Sequence, residues 1–199
     1  AADRLANALA APLTRRSRAA TGRVNLAAEK AGLLVVDAAR IDRLNAVHEA
    51  LTVGTLPNHS PVAPRDMVAT IKVIPFSVPG AVLAEAEAIA RDGTPAFQIH
   101  PFRPLKAGLV LTELPGLKES VAANTIAATR SRVAGLTGSL LPPLRCPHRE
   151  EPIAKSLEIL LSQGADLVMV AGASAVVDRR DVGPMGIVRA GGKIRHFGM

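Results

Sequence analysis

The feature that most limits the fold of this chain is an alternation, from about residue 106 onward, of continuous apolar runs with amphipathic segments. Residues 107–111 and 166–170 are apolar almost throughout, whereas residues 150–163 place large apolar side chains three and four positions apart. Continuous apolar strands separated by amphipathic helices are typical of a parallel sheet with helices on both faces. The pattern therefore predicts an α/β unit. Its predicted strands are 107–111, 166–170 and 194–199, its predicted helices are 120–136, 150–163 and 181–190, and 139–145 is predicted to be extended.

Residues 1–105 follow a different pattern, in which shorter segments of both kinds are separated by Pro, Gly, Asn and Asp. Asp37 precedes an apolar repeat at the helical spacing, so we expect it to cap a helix. We expect a small α+β domain over residues 1–105 and the α/β domain over residues 106–199. Besides an Ala-rich helix near the start, the first domain is predicted to have helices over 22–31, 38–47 and 81–91 and strands over 33–36, 51–56 and 67–76.

The charge of the chain favours small anionic ligands over nucleic acid. The formal net charge is +7, from 24 Lys and Arg residues against 17 Asp and Glu residues. The excess is spread along the sequence, and there is no Trp, no Tyr and only four Phe. Nucleic-acid binding usually combines a basic stripe with stacking aromatic side chains. We therefore expect no nucleic-acid partner, and a general attraction of phosphorylated small molecules.

The single cysteine and the lengths of the uncharged stretches predict a cytoplasmic protein. Cys146 has no second cysteine to pair with, which is typical of a reducing compartment. The uncharged stretches 133–144 and 167–177 are too short to cross a bilayer, so no membrane partner is expected. Because the sequence begins at Ala1 and stops within a predicted strand at Met199, we expect it to be the central piece of a longer polypeptide.

Two loops leave the carboxyl ends of the predicted strands, where ligands bind in parallel sheets. The second of them, residues 172–181, begins with small residues that allow the backbone to approach a ligand closely. Asp181 is expected to cap the following helix, whose free N–H groups suit an anion. Asp178 or Asp181 could hold a hydrated Mg²⁺ against a phosphate. The alternative at this point is that the loop is only a tight turn and Asp181 only a cap.

Residues 164–184 resemble the signature of the molybdenum-cofactor biosynthesis family, which includes molybdopterin adenylyltransferase and molybdopterin molybdotransferase. The first branch has a pattern similar to GADL, TGGTG and RRDVTP, matched here by residues 164–167, 172–174 and 179–184. The second branch has GGVSVGD, with which residues 172–178 align without a gap. Two shorter motifs of the second branch are similar to residues 112–114 and 196–199.

The resemblance implies a Rossmann-like three-layer αβα domain with a mostly parallel sheet. Its site would bind molybdopterin, or the nucleotide of molybdopterin, with Mg²⁺ and, for adenylyl transfer, ATP. The partner would be a small pterin phosphate, and the protein would form a homo-oligomer. Asp178 and Asp181 would be the catalytic and metal-binding acids. The cofactor-binding residues that the resemblance implies are Thr112, Glu113, Gly172, Ala173 and Ser174.

Two classes of function stay open. The intact Arg-Arg-Asp motif that ends at Asp181 favours a transferase that moves a nucleotide or molybdate. The adenylyltransferase pattern has another acid before the preceding helix, where this chain has residues 147–152, so His148 or Glu150 would have to substitute for it. This departure favours a non-catalytic module, a carrier or sensor fused to another enzyme.

A third class, a hydrolase, is disfavoured. Ser174 follows an apolar strand in a turn similar to the nucleophile elbow of hydrolases. The turn lacks the second glycine, and the only histidine downstream of it is His196.

Overall fold

The computed structural model describes residues 1–198, which form two compact units. The first consists of residues 1–102 and the second begins at Arg103. The described residues contain six helices and eleven strands, so the mixed α/β class is confirmed. The sheets are partly antiparallel, and a mostly parallel Rossmann-like fold is therefore not confirmed for the chain. None of the helices in residues 1–198 is long and apolar enough to cross a membrane.

The first unit packs two antiparallel sheets and three helices around one apolar core. Leu5, Leu34 and Phe97 are completely buried in that core. The elements are α1 (Ala2–Leu9), β1 (Thr14–Arg16), β2 (Arg23–Ala28), β3 (Gly32–Val36), α2 (Ala38–Ala46), β4 (Leu51–Thr55), β5 (Ser60–Val62), β6 (Met67–Val73), α3 (Gly80–Ala90) and β7 (Phe97–Pro101). The sheet orders are β1-β2-β6-β4 and β5-β3-β7.

The structure confirms one predicted cap in this unit and corrects one predicted helix. The Asp37 carboxylate accepts a hydrogen bond of 3.0 Å from the Arg40 N–H at the start of α2. The helix predicted over residues 22–31 is wrong, since this segment is β2. Its side chains alternate between a buried and a solvent face, with Val24 and Leu26 completely buried. Because the segment pairs with β1 and β6, it forms a strand, in which side chains alternate with a period of two, and not a helix.

The second unit is built around one central parallel strand. Strand β8 (Lys106–Glu113) pairs in parallel with a strand on either side. The short strand β9 (Ser139–Leu140) pairs with its beginning, also in parallel. The remaining elements are α4 (Glu119–Gly135), β10 (Leu144–Pro147), α5 (Glu150–Ser162), β11 (Leu167–Ala171) and α6 (Val182–Arg189). The sheet order is β10-β8-β11.

Side chains of β8 alternate between two apolar clusters. Val110 packs with Ile153 and Leu160 of α5, whereas Leu109 and Leu111 pack with the helix α4. Successive side chains of a strand point to opposite faces, so α5 and α4 cover opposite faces of the sheet. The continuous apolar run that predicted this strand therefore has a physical cause, which is burial on both sides.

The predicted strand over residues 194–199 is wrong for the part that the structure describes. Residues 194–198 form no strand, and Met199 lies outside the described residues. Gly191, with a φ of 86°, and Gly192 follow α6 and turn the chain. The Arg179 guanidinium lies 5.8 Å from the centre of the Phe197 ring, so this segment packs against the loop after β11.

We predict that Gly186→Ala destabilises the second unit, although alanine is the better helix former. A Cβ at this position of α6 would lie 2.7 Å from Cγ2 of Ile153 on α5. Overpacking of this kind costs about 1–3 kcal/mol, against a helix-propensity gain of about 1 kcal/mol. Gly135→Ala in α4 is the matched control, since nothing lies within 4 Å of its added Cβ.

The measurement is the urea dependence of thiol labelling at Cys146. This residue is the only cysteine of the chain and is 7% exposed within the second unit, so its labelling reports the opening of that unit. Burial also raises the pKa of the thiol, which lowers the background rate in the folded protein. A labelling midpoint that is unchanged or higher in Gly186→Ala would contradict the packing described here.

Candidate functional site

Three segments of the second unit meet at the carboxyl edge of its sheet. Thr112 lies near the end of β8, His148 follows β10, and the loop 172–181 follows β11. The strand register pairs Thr112 with Cys146 and Leu111 with Ala171, so the three ends are level. A cavity of about 230 Å³ lies at this edge. Its position agrees with the general location of ligand sites in parallel sheets.

The walls of the cavity are mainly apolar, with polar groups at a few points. This combination is typical of sites for small organic molecules. The apolar lining residues are Val170, Ala175, Val176, Pro184, Ile187, Ile194 and Phe197. The polar lining residues are Thr112, His148, Ser174, Asp181 and His196, and Gly172 and Gly183 complete the wall.

A chain of hydrogen bonds joins the three segments. The Ala173 N–H donates to Thr112 Oγ1 over 2.8 Å, and the same oxygen lies 2.7 Å from Nδ1 of His148. Nε2 of His148 lies 3.0 Å from Ser174 Oγ. The backbone N–H of His148 donates to the Glu113 carbonyl oxygen over 2.9 Å, which anchors the histidine beside β8. The chain fixes the start of the loop relative to the central strand.

Asp181 organises the second half of the loop. Its Oδ2 accepts hydrogen bonds from the Val177 N–H, over 2.6 Å, and from the Asp178 N–H, over 2.9 Å. These donors hold the pKa of the carboxyl below its usual range. Asp181 occupies the cap position of α6 but makes no side-chain hydrogen bond to that helix. The predicted position of Asp181 at the start of the helix is therefore confirmed, but its carboxylate binds the loop that precedes the helix and not the helix N–H groups.

Asp178 and Asp181 are neighbours in space but do not both face the cavity. Oδ1 of Asp178 accepts a hydrogen bond of 2.7 Å from the Arg180 N–H, and Asp178 is not a lining residue. Within residues 1–198, no three or more His, Cys, Asp and Glu side chains are grouped so that they could hold a metal ion. A cation at this site would therefore need oxygen atoms from its ligand in addition to those of Asp181.

Glu113 is directed to an ion-pair network instead of the cavity. Its carboxylate lies 2.5 Å from Nε of Arg145, and both terminal nitrogens of Arg145 lie 2.7 Å from the carboxylate of Glu119. This network joins β8, β10 and the start of α4. Of the two residues considered as substitutes for a second acid, His148 lines the cavity and Glu150 does not.

The structure thus brings together four of the seven predicted site residues as lining residues, namely Thr112, Gly172, Ser174 and Asp181. Ala173 contributes its backbone N–H to the hydrogen-bond chain. Gly172 suits its position, since a Cβ there would lie 3.1 Å from the Ser174 carbonyl oxygen. The apolar walls of the cavity were not predicted from the sequence. One signal could have indicated part of them, since Pro184 and Ile187 are three positions apart and therefore lie on one face of α6.

Comparison of the sequence with protein-family models and with curated proteins finds no match. The resemblance to the molybdenum-cofactor biosynthesis family therefore stays a prediction. The function proposed below is based on the geometry of the site.

We predict that protonation of Asp181 releases the loop as the pH falls. A carboxyl with a lowered pKa stabilises the folded arrangement above the ordinary value of about 3.9, and this contribution is lost as the pH falls through the lowered pKa. The amide signals of Val177 and Asp178 in NMR spectra should titrate together with a midpoint below that value.

Asp181→Asn should abolish this titration, whereas Asp178→Asn, the matched control, should leave it at Val177. A midpoint at or above the ordinary value would show that the two N–H groups do not stabilise the carboxylate.

Proposed function

We propose that the cavity binds a pterin phosphate, molybdopterin or its nucleotide, as part of molybdenum-cofactor synthesis. The observation that carries the proposal is the combination of apolar walls with a hydrogen-bonded polar floor at the carboxyl edge of a parallel sheet. A flat heteroaromatic ring would bury both of its faces between such walls. Its polar edge would meet hydroxyl and N–H groups.

We further propose that residues 106–199 form a Rossmann-like three-layer αβα domain. The support is the parallel pairing of β8 with β10 and β11 and the packing of α4 and α5 on opposite faces of that sheet. In domains of this class the loop after a strand and the start of the next helix hold phosphate groups.

The loop after β11 offers donors to a phosphate. Among the described residues, nothing accepts a hydrogen bond from the N–H groups of Ser174, Ala175 and Val176. All three residues line the cavity. An anion there would satisfy several backbone donors at once, and the net charge of +7 would favour its approach.

The residues fit a magnesium ion only if it is carried by the phosphate. Mg²⁺ is commonly held by one or two carboxylates together with phosphate oxygens and water. Asp181 supplies one carboxylate at the cavity wall, and its Oδ1 has no partner among the described residues. Asp178, whose N–H donates to Asp181, is not a lining residue of the cavity. When bound, the ion would neutralise phosphate charge, and Asp181 would orient the ligand.

One observation favours the non-catalytic alternative, a binding module, over a transferase. Both ring nitrogens of His148 are engaged, one by Thr112 and one by Ser174. The imidazole therefore has no free nitrogen with which to replace the missing acid of the adenylyltransferase pattern. Transfer of a nucleotide or molybdate would have to rely on positioning and charge neutralisation by the loop and Asp181.

The test is a titration with molybdopterin, with and without Mg²⁺ and ATP, that follows pterin binding and pyrophosphate release. We expect binding that is strengthened by Mg²⁺. In Asp181→Ala the Mg²⁺-dependent part should weaken about tenfold or more, which corresponds to about 1.4 kcal/mol. Glu150→Gln, an acid outside the cavity, is the control and should bind normally.

The outcomes separate the alternatives. Pyrophosphate release that is lost in Asp181→Ala would establish an adenylyltransferase. Binding without release would support a binding module or a molybdate-inserting enzyme, which molybdate addition would distinguish. No binding in the folded protein would overturn the proposal.

A further inference from the structure

The direction of the hydrogen-bond chain at the cavity floor follows from counting donors and acceptors at Thr112. A hydroxyl has one hydrogen to donate and can accept two hydrogen bonds. Thr112 Oγ1 already accepts from the Ala173 N–H, and its only other partner among the described residues is Nδ1 of His148. The residue is buried, with 2% of its surface exposed. If the hydroxyl hydrogen did not go to Nδ1, a buried donor would be left without an acceptor.

The same count then determines which ring nitrogen of His148 donates a hydrogen bond and which accepts one. When Nδ1 accepts a hydrogen bond, the neutral ring carries its hydrogen on Nε2. Nε2 is therefore the donor in the 3.0 Å contact with Ser174 Oγ. Ser174 is exposed at the cavity wall, and its own hydroxyl hydrogen has no acceptor among the described residues. That hydrogen is left for a ligand.

We infer that His148 is a positioning residue that makes Ser174 a hydrogen-bond donor to the cavity, so that the ligand atom bound there is a hydrogen-bond acceptor. The N–H groups of Ser174, Ala175 and Val176, which have no acceptor among the described residues, add further donors in this part of the loop. A pterin phosphate supplies oxygen acceptors of two kinds, a phosphate oxygen and a ring carbonyl. The ligand half of the inference rests on the proposed function, whereas the role of His148 does not.

If the hydrogen bonds through His148 ran in the opposite direction, Ser174 would have a different chemical role. With the hydrogen on Nδ1, Nε2 would accept from the Ser174 hydroxyl, which is the arrangement of a serine nucleophile with its general base. The Thr112 hydroxyl would then have no acceptor. The buried threonine thus decides between a donor and a nucleophile at Ser174, and the two states of the imidazole can be distinguished by experiment.

The first experiment determines the tautomer of His148 without any ligand. Long-range proton–nitrogen correlation NMR at about pH 8, where an ordinary imidazole is neutral, should show the hydrogen on Nε2. Loss of the signals in His148→Gln assigns them. Thr112→Val should abolish the preference for this tautomer, and Thr112→Ser should restore it, whereas a merely structural role of Thr112 would leave the ring unchanged.

Thiol protection of Cys146 checks that each variant is folded, and Thr112→Ser keeps the test decisive if Thr112→Val does not fold. The hydrogen on Nδ1 in the unmodified protein would overturn the inference. Covalent labelling of Ser174 by a fluorophosphonate, lost in His148→Gln, would overturn it as well.

The second experiment identifies the acceptor with three probes. Pterin has a ring carbonyl, and diaminopteridine has an amino group in its place. Inorganic phosphate has no ring. If the carbonyl meets Ser174, pterin should bind about tenfold more tightly than diaminopteridine, and Ser174→Ala should remove this difference while diaminopteridine binds as before. If a phosphate oxygen meets it, the two pteridines should bind equally and Ser174→Ala should weaken phosphate about tenfold.

Either result supports the inference, and binding of all three probes unaffected by Ser174→Ala would overturn it. Failure of every probe to bind would overturn the proposed function and the ligand half of the inference together. The tautomer measurement would still judge the role of His148 on its own, so the two failures are distinguishable.

Discussion

The parallel pairing of β8 on both of its edges is the constraint on which the second unit depends. Because β8 is buried on two faces and paired on two sides, its side chains are apolar almost without interruption until Thr112. The pairing also brings the ends of three strands to one level, which places residues distant in sequence beside one another. The cavity is a consequence of that arrangement, since the chain has to leave the sheet by loops at the same edge.

Burial of Thr112 extends this constraint from the backbone to the side chains. A buried hydroxyl must be paired, and here both of its partners come from loops, the N–H of Ala173 and the imidazole of His148. One polar atom at the end of the central strand thereby couples the segment after β10 to the loop after β11. A large shift of either loop would break one of these two hydrogen bonds.

The sequence allowed the elements with a strong periodic signal to be predicted, and the structure shows why others failed. The apolar run of β8 and the helix at 150–163 were correct because their patterns reflect burial within the second unit. The second apolar run is strand β11, as predicted, although its side chains are only partly buried or exposed. The segment predicted as a helix over residues 22–31 contains β2 (Arg23–Ala28), and no local pattern showed the two partner strands that stabilise it. Residues 194–198 are apolar enough for a strand, but they lie against the cavity, where Ile194 and Phe197 form part of the wall.

The candidate site was predicted in part for the same reason. The loop after β11 could be located from strand order alone, and with it Gly172, Ser174 and Asp181. The pairing of Glu113 with Arg145 could not be inferred, since it depends on the register between two strands more than thirty residues apart. The same register places His148 next to Thr112. Long-range pairing therefore decides which polar side chains become part of the cavity and which are neutralised outside it.

Asp181, the acid among the described residues of the cavity wall, would have two energetically linked roles in the proposed complex. Oδ2 of Asp181 orders the loop through two N–H groups, and Oδ1 is left for a ligand or its cation. Any positive group that binds the free oxygen stabilises the ionised carboxylate, and the ionised carboxylate is the state that holds the loop. A phosphate with its magnesium would therefore tighten the loop whose N–H groups bind the phosphate. This reciprocity makes order in residues 172–181 and affinity for an anionic ligand two aspects of one equilibrium.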